Sequence, residues 1–441
     1  MTTDLACAIA EMPLHDTHEH LASEDRYIAS PPDVLRDLFD NYVLGDLAVA
    51  GASPEAISRL LNADDPDLRA RFEGIAPAWE SCRHTGYGDA VCAIARDVFG
   101  IERLTASALE AAQPMSVALR APGKRLEILQ RAGLDHVQVD DCVWKCSPDQ
   151  SGPDFFLYDL SWLSFSSGQV DAALIHAEVG VEVTDLETLR GAMEALFVRY
   201  APFAVAVKTQ HAYNRTLLWS EPDEATVARA LDKTLVGIAP DEGEFLALGD
   251  WCLARGVELA GQFGLPVKIH TGYYAGHSRM LVDRIPAGHL SALLARYPQT
   301  RFVLMHIAYP YSDEVLALAK HYPNVWADLC WAWSINPLAA SDFVRRFVHA
   351  APSNKLLGFG GDSVWPWASV AYADQARAWL TRALEVEVTD RLLTEQDAIA
   401  LAHRFLHGNQ RTCFDIDGLR SRIRQALFAL PVSPSIALVS V

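Results

Sequence analysis

Six residues carry most of the chemical potential of this chain: His18 and His20 in the segment HDTHEHL, then Lys208, His270, His306 and Asp362. Imidazole and carboxylate suit a borderline divalent ion, zinc first, with manganese, nickel or iron also compatible. In an extended segment residues two apart point to the same side, so His18 and His20 can grip one ion while Glu19 points away. A lone His-x-His arises by chance in many chains. For any single histidine among fifteen, a backbone-bonded place in the core or a loop is the ordinary expectation. The argument for a metal rests on the ordered set, because each of the other four residues closes a separate apolar run.

Those runs are the elements that must position the set. After a first burst near Met12-Pro13-Leu14 they lie at 134–140, 155–165, 203–208, 265–270, 301–306, 324–329 and 355–362. Helical patterns such as LETLRGAMEALFVRYA and EGEFLALGDWCLARGVELAGQF separate them. Continuous apolar runs of this length fit parallel strands covered on both faces. Repeated strand–helix units give a doubly wound sheet or a (β/α)8 TIM barrel. A doubly wound sheet gathers its chemistry at one switch point, whereas here ionisable residues end many strands, so the barrel is expected. Eight units occupy about 250 residues, which leaves room for a large helical insertion after strand one and for C-terminal helices around 380–430. Ser53-Pro54 followed by Glu55 is a helix start inside the insertion. The expected layout is a barrel from 1–29 and 130–430, an insertion at 30–129 and a tail at 431–441.

Composition narrows the function. The 441 residues are 50% hydrophobic and 21% charged, which excludes a disordered chain. Lys and Arg total 37 against 56 Asp and Glu, a formal charge of −19 that repels phosphate backbones and argues against nucleic acid. An anionic small-molecule substrate would need a locally positive site, such as a metal. No apolar run approaches the roughly 18 residues of a membrane span. The start, MTTDLACAIAEMPLHD, lacks a basic, then apolar, secretion signal, so a cytoplasmic protein is expected. Eight scattered cysteines without a CxxC pair fit reduced thiols. Large helical inserts often self-associate, so a homo-oligomer is compatible.

The segments LHDTHEHL, VKIHTG, FVLMHIAYPY and GFGGDS resemble the amidohydrolase superfamily, particularly its amidohydrolase-related branch. The resemblance covers residues 12–30 and 130–420. It implies a mononuclear or binuclear metal-dependent barrel hydrolase. His18, His20 and Asp362 would bind the metal, as would His270 in most members. His306 would bind a second metal or hydrogen-bond the attacking water or substrate oxygen. The insert is similar to that of uronate isomerases and of amidohydrolase domains fused to glutamine-synthetase-like proteins. Lys208 matches the lysine that binuclear members carbamylate into a bridge; the other reading is a cationic lysine that holds substrate. One ion is favoured over two, because the related branch is commonly mononuclear. Asp362 would act as general base on water polarised by the metal.

The implied activity is hydrolysis of a C–N or C–O bond in a small polar, carboxylated substrate. A uronate-isomerase-like aldose–ketose isomerase, a nonoxidative decarboxylase and a catalytically inert scaffold follow in that order. Arg215 is a candidate carboxylate anchor through its bidentate fork, and Tyr213, Tyr274 and Trp331 are candidate walls of the pocket. His84 and Tyr87, in CRHTGYGD of the insert, are positioned to reach down as a lid. The Gly358-Phe359-Gly360-Gly361 run lacks the spacing of a nucleotide loop and fits a tight strand end before Asp362.

Overall fold

Strands that are apolar on both faces bury themselves by closing into a barrel sheathed in helices. A computed structural model, which describes residues 3–429, shows this arrangement. Its strands are β1 (Leu14–Glu19), β2 (Leu134–Val139), β3 (Phe156–Ser161), β4 (Ala204–Thr209), β5 (Val267–Ile269), β6 (Phe302–Leu304), β7 (Val325–Asp328) and β8 (Leu356–Leu357). They form one sheet in chain order, and every adjacent pair is parallel. Past β8 the chain closes against β1: the Thr17 amide donates to Phe359 O, the Asp362 amide to His18 O and the His20 amide to Ser363 O. The tail expected at 431–441 lies outside the described residues.

Several strands are shorter than their apolar runs. The run 155–165 yields a six-residue strand and then a short helix, Leu163–Ser166. The runs ending at His270, His306 and Asp362 leave the ladder before those residues, which turn in over the C-terminal mouth. The barrel interior is partly polar. Lys268 on β5 donates from Nζ to Thr17 O (2.7 Å) and Gln138 Oε1 (3.1 Å) and forms an ion pair with Asp159 Oδ2 (2.5 Å). Burial pushes the Asp159 carboxyl up to about 7 against the pull of this ammonium.

Nine helices between Glu24 and Arg131 separate β1 from β2. One spans Pro54–Leu60 and is capped by Ser53, whose hydroxyl accepts from the Ala56 amide. Two buried ion pairs tie the group together, Arg71–Asp33 and Arg120–Asp37, each at 2.6 Å. Helix Gly86–Phe99 docks this group on the long helix Pro366–Thr389, where Gln375 Nε2 donates to Gly86 O (2.7 Å). A Cβ on Gly86 would stand 2.1 Å from Ser334 O, so only glycine allows the approach. All eight cysteines are unpaired. Among the described residues, no helix is long and apolar enough to cross a membrane.

Candidate metal centre

His18 and His20 leave the end of β1 on the same side, and Asp362 meets them from the segment beyond β8. His18 Nε2 and His20 Nε2 are 3.2 Å apart, and they lie 3.3 and 3.4 Å from Asp362 Oδ1. A backbone partner fixes which ring nitrogen of His20 carries the proton. His20 Nδ1 donates to Asp140 O (2.7 Å), since a carbonyl only accepts. His18 Nδ1 faces the Asp159 carboxylate at 3.8 Å. His20 Nε2 therefore presents a lone pair, a neutral His18 does so in its Nδ1–H tautomer, and the third corner of the triangle is a carboxylate oxygen. Tetrahedral zinc with bonds of about 2.0–2.1 Å needs ligand atoms about 3.3 Å apart, and this triangle has that edge. In that tautomer three lone pairs converge, which repel unless a cation lies between them, so the donor set fits a divalent ion.

The electrostatics agree with a ligand role. Burial and the Lys208 ammonium hold the buried His18 ring well below the usual imidazole range, so it stays neutral. Burial acts upward on Asp362, but the imidazoles of His18, His306 and His20 outweigh it and hold the carboxyl well below its usual range. Backbone strain collects in the same place. Cys142, His306, Ile307, Ala308, Trp331 and Asp362 all have positive φ, and all follow the ends of strands. Non-glycine residues adopt that conformation only where their surroundings enforce it. Glycine completes the turn into Asp362: a Cβ on Gly361 would stand 2.1 Å from Glu19 Oε1, and one on Gly360 would stand 2.6 Å from Thr17 Oγ1.

His270 and His306 reach the centre and face each other. His306 Nδ1 donates to Cys330 O (2.9 Å), and His270 Nε2 donates to Tyr273 O (2.9 Å). The remaining nitrogens, His270 Nδ1 and His306 Nε2, face one another at 2.9 Å. Burial holds both rings below the usual imidazole range, so they stay neutral and the two facing nitrogens carry lone pairs. His270, expected as a ligand of the first metal, is not among the residues whose ligand atoms gather with His18, His20 and Asp362. His306 Nε2 is 3.8 Å from Asp362 Oδ2. Lys208 Nζ donates to Gln210 Oε1 (2.8 Å) and lies 3.3 Å from His18 Nε2.

A cavity of about 340 Å³ stands over the triangle, lined by His18, His20, Lys208, His270 and Asp362 together with Tyr42, Gln210, Tyr213 and Arg279. Tyr213 lines this cavity, and its hydroxyl accepts from the Ala275 amide. Tyr274 stacks behind Tyr213, with ring centres 4.7 Å apart, and donates its hydroxyl to Ala212 O. Trp331 is buried beneath the floor, edge-on to His306 at 5.3 Å and under Tyr42 at 4.4 Å. Arg215 is displaced from its expected role. Its guanidinium turns into the protein, donating to Asp250 Oδ1 (2.9 Å) and Ser166 O (2.6 Å), because the turn His211–Tyr213 carries the chain away from the mouth. Arg279 occupies the cavity wall instead, 5.2 Å over the Tyr213 ring.

Residues absent from the sequence reading complete the site. Tyr42 comes from the insert and donates its hydroxyl to Asp362 O (2.5 Å). Asp159 and Lys268 sit one layer below the triangle. A charged residue inside an apolar strand run was the available signal for that pair; Tyr42 and Arg279 had none.

Comparison with known proteins gives a consistent picture. The family model described as Amidohydrolase matches residues 170–414. Protein fluG of Emericella nidulans is 31% identical over 171 residues, which make up 35% of this chain and 19% of that protein. Among solved structures, a uronate isomerase from Thermotoga maritima superposes with a TM-score of 0.78 at 12% identity, covering 93% of this chain and 96% of that one. A glucuronate isomerase from Caulobacter crescentus gives 0.77 at 16% identity, covering 94% and 93%. A protein designated a metal-dependent hydrolase from Lactobacillus casei gives 0.64 at 15% identity, covering 95% and 99%. At these identities the three structures speak to the fold.

Proposed function

This chain belongs to the amidohydrolase family, and from that premise we propose that it is a metal-dependent hydrolase cleaving a C–N or C–O bond in a small, polar, carboxylated molecule. The observation that carries the reading is the triangle of His18 Nε2, His20 Nε2 and Asp362 Oδ1 on the floor of an open cavity. These residues would hold one divalent ion, zinc first among those the donor set suits. When bound, such an ion supplies Lewis acidity at a carbonyl and lowers the pKa of water.

The protein's own groups account for the remaining steps. Asp362 keeps Oδ2 on the side away from the two ligand imidazoles, free to take the proton of the attacking water and return it to the leaving group. His306 turns its Nε2 toward Asp362 Oδ2 (3.8 Å) and is placed to accept a hydrogen bond from the attacking water. Lys208 is held by Gln210 and keeps N–H groups for an oxygen that gains negative charge or for a substrate hydroxyl. Arg279 gives Nε and Nη2 to Ala275 O, and its Nη1 is left for a substrate carboxylate. Tyr213 and Tyr42 close the sides and limit water.

Metal content per chain, measured by mass spectrometry for wild type and His18→Ala, tests the reading. About one ion in wild type and none in the variant supports it. Two ions would overturn the single-ion assignment and favour a carbamylated Lys208. A chain that stays metal-free after incubation with zinc and manganese would overturn the whole reading. A second reading, a sugar-acid isomerase, is favoured by the fold overlap with uronate isomerases, which extends over the helical insert. Oxygen-18 from solvent appears in the product of a hydrolase; solvent deuterium enters a carbon position in an isomerase.

A further inference from the structure

Beside the cavity lies a second crevice of about 150 Å³ between the insert and the loop after β5, bounded by Tyr42, Asp46, Tyr87, Tyr273 and Arg279. Tyr42, Ala275 and Arg279 line both spaces, so the two adjoin. Asp46 stands on the insert helix Val43–Val49. Burial pushes its carboxyl above the usual range, and Thr85 is the hydrogen-bonding side chain beside it. Among the described residues Asp46 has no cationic partner. Arg279, on the same rim, gives Nε and Nη2 to Ala275 O and lies over Tyr213 without pairing with Asp46, so its Nη1 stays open to the crevice, and His277 bonds Ser278 Oγ (3.0 Å).

The aromatic walls are built in. Tyr87 is 6% exposed, and among the described residues its hydroxyl has no hydrogen-bond partner. Its ring centre is 5.6 Å from that of Tyr42, and Trp331 packs behind both at 6.2 and 4.4 Å. Tyr273 stands 6.0 Å from the same indole. A half-buried carboxylate without a counter-ion, walled by tyrosine rings, is a setting that favours an alkylammonium ion through charge and through the π faces.

We propose that this crevice binds a primary ammonium group on the substrate. Arg279 and Asp46 line the same space, so carboxylate and ammonium belong to one end of the molecule. The substrate class is therefore a compound with an amino-acid end, held in the crevice, whose scissile bond lies further along, over His18, His20 and Asp362. The link to a scissile bond rests on the hydrolase reading; the ammonium site does not.

Calorimetric titration of the full-length protein with butylammonium, 1-butanol and butyrate tests the site. Butylammonium is expected to bind wild type about tenfold tighter than butanol, and the advantage should vanish in Asp46→Asn. Tyr87→Phe should keep it, and Tyr87→Leu should weaken it. Equal binding of butylammonium and butanol by wild type, or an undiminished preference in Asp46→Asn, would overturn the proposal. The Tyr87 pair decides the matter should the Asp46 variant fail to fold. Metal content of the same samples separates the two readings. Metal without ammonium preference sinks the crevice alone, and ammonium preference without metal sinks the hydrolase alone.

Discussion

Replacing Arg215 with methionine removes a charge that the structure places inside the protein and that sequence reasoning places at the substrate. The side chain is 2% exposed, and its guanidinium bonds Asp250 Oδ1 at 2.9 Å and Ser166 O at 2.6 Å. Methionine fills most of the volume but leaves Asp250 with only the Ser220 amide and hydroxyl, at 3.1 and 3.4 Å. Breaking one partner out of a buried ion pair costs about 3–5 kcal/mol. An unfolding entropy of about 2.1 cal/mol/K per residue gives about 0.9 kcal/mol/K for the chain, so the melting temperature should fall by about 3–5 °C. The loss has a pH signature. Burial pushes the Asp250 carboxyl up, and Arg215 holds it back; without the guanidinium its folded-state value rises further above the unfolded one. A carboxyl raised in the folded state contributes stability below the unfolded value and loses it as pH climbs through the folded value. The deficit should therefore be largest at neutral and alkaline pH and shrink toward acid. Thermal melts at several pH values, alongside KM for a carboxylated substrate, give the assay. Unchanged melting with KM raised about tenfold would show that Arg215 holds substrate and refute the burial argument.

Three further outcomes are expected. Asp362→Asn should keep its melting profile while kcat falls by about 10²–10⁴, as for loss of a general base; turnover near wild type would remove Asp362 from that role. Arg279→Gln should raise KM for carboxylated substrates by about tenfold or more without changing stability, since a hydrogen bond to a charged group contributes about 1.5–3 kcal/mol; the amide of the same substrate should be indifferent to the change. Gly361→Ala puts a Cβ 2.1 Å from Glu19 Oε1, so metal content should drop even though no ligand is altered, as a titration of the variant would read.

The barrel was legible because its strands are apolar on both faces and end in ionisable residues, a combination few other architectures produce. Its edges were not. The run 155–165 stays apolar through a strand, a turn and a short helix, and hydrophobicity alone does not mark where one becomes the next. Likewise His18, His20 and Asp362 could be read from strand position. The placing of Arg215 failed, because nearness to Lys208 in sequence says nothing about which way the turn at 211–213 throws the chain. Tyr42 and Arg279 sit on an inserted helix group and a loop, where no periodicity ties residue number to position. Lys268 and Asp159 lay in plain view as charges within strands. Their meaning depends on three strands meeting around one ammonium, and that is a property of closure.

The hydrogen bond from Tyr42 to the carbonyl of Asp362 joins two stretches of chain with different histories open to them. The candidate ligands His18, His20 and Asp362 belong to the barrel; Tyr42, Asp46 and Tyr87, which line the crevice proposed to hold one end of the substrate, belong to the insert. Drift in the insert can thus retune which molecule is welcomed while the reacting groups stay fixed, provided one hydroxyl survives to meet that carbonyl.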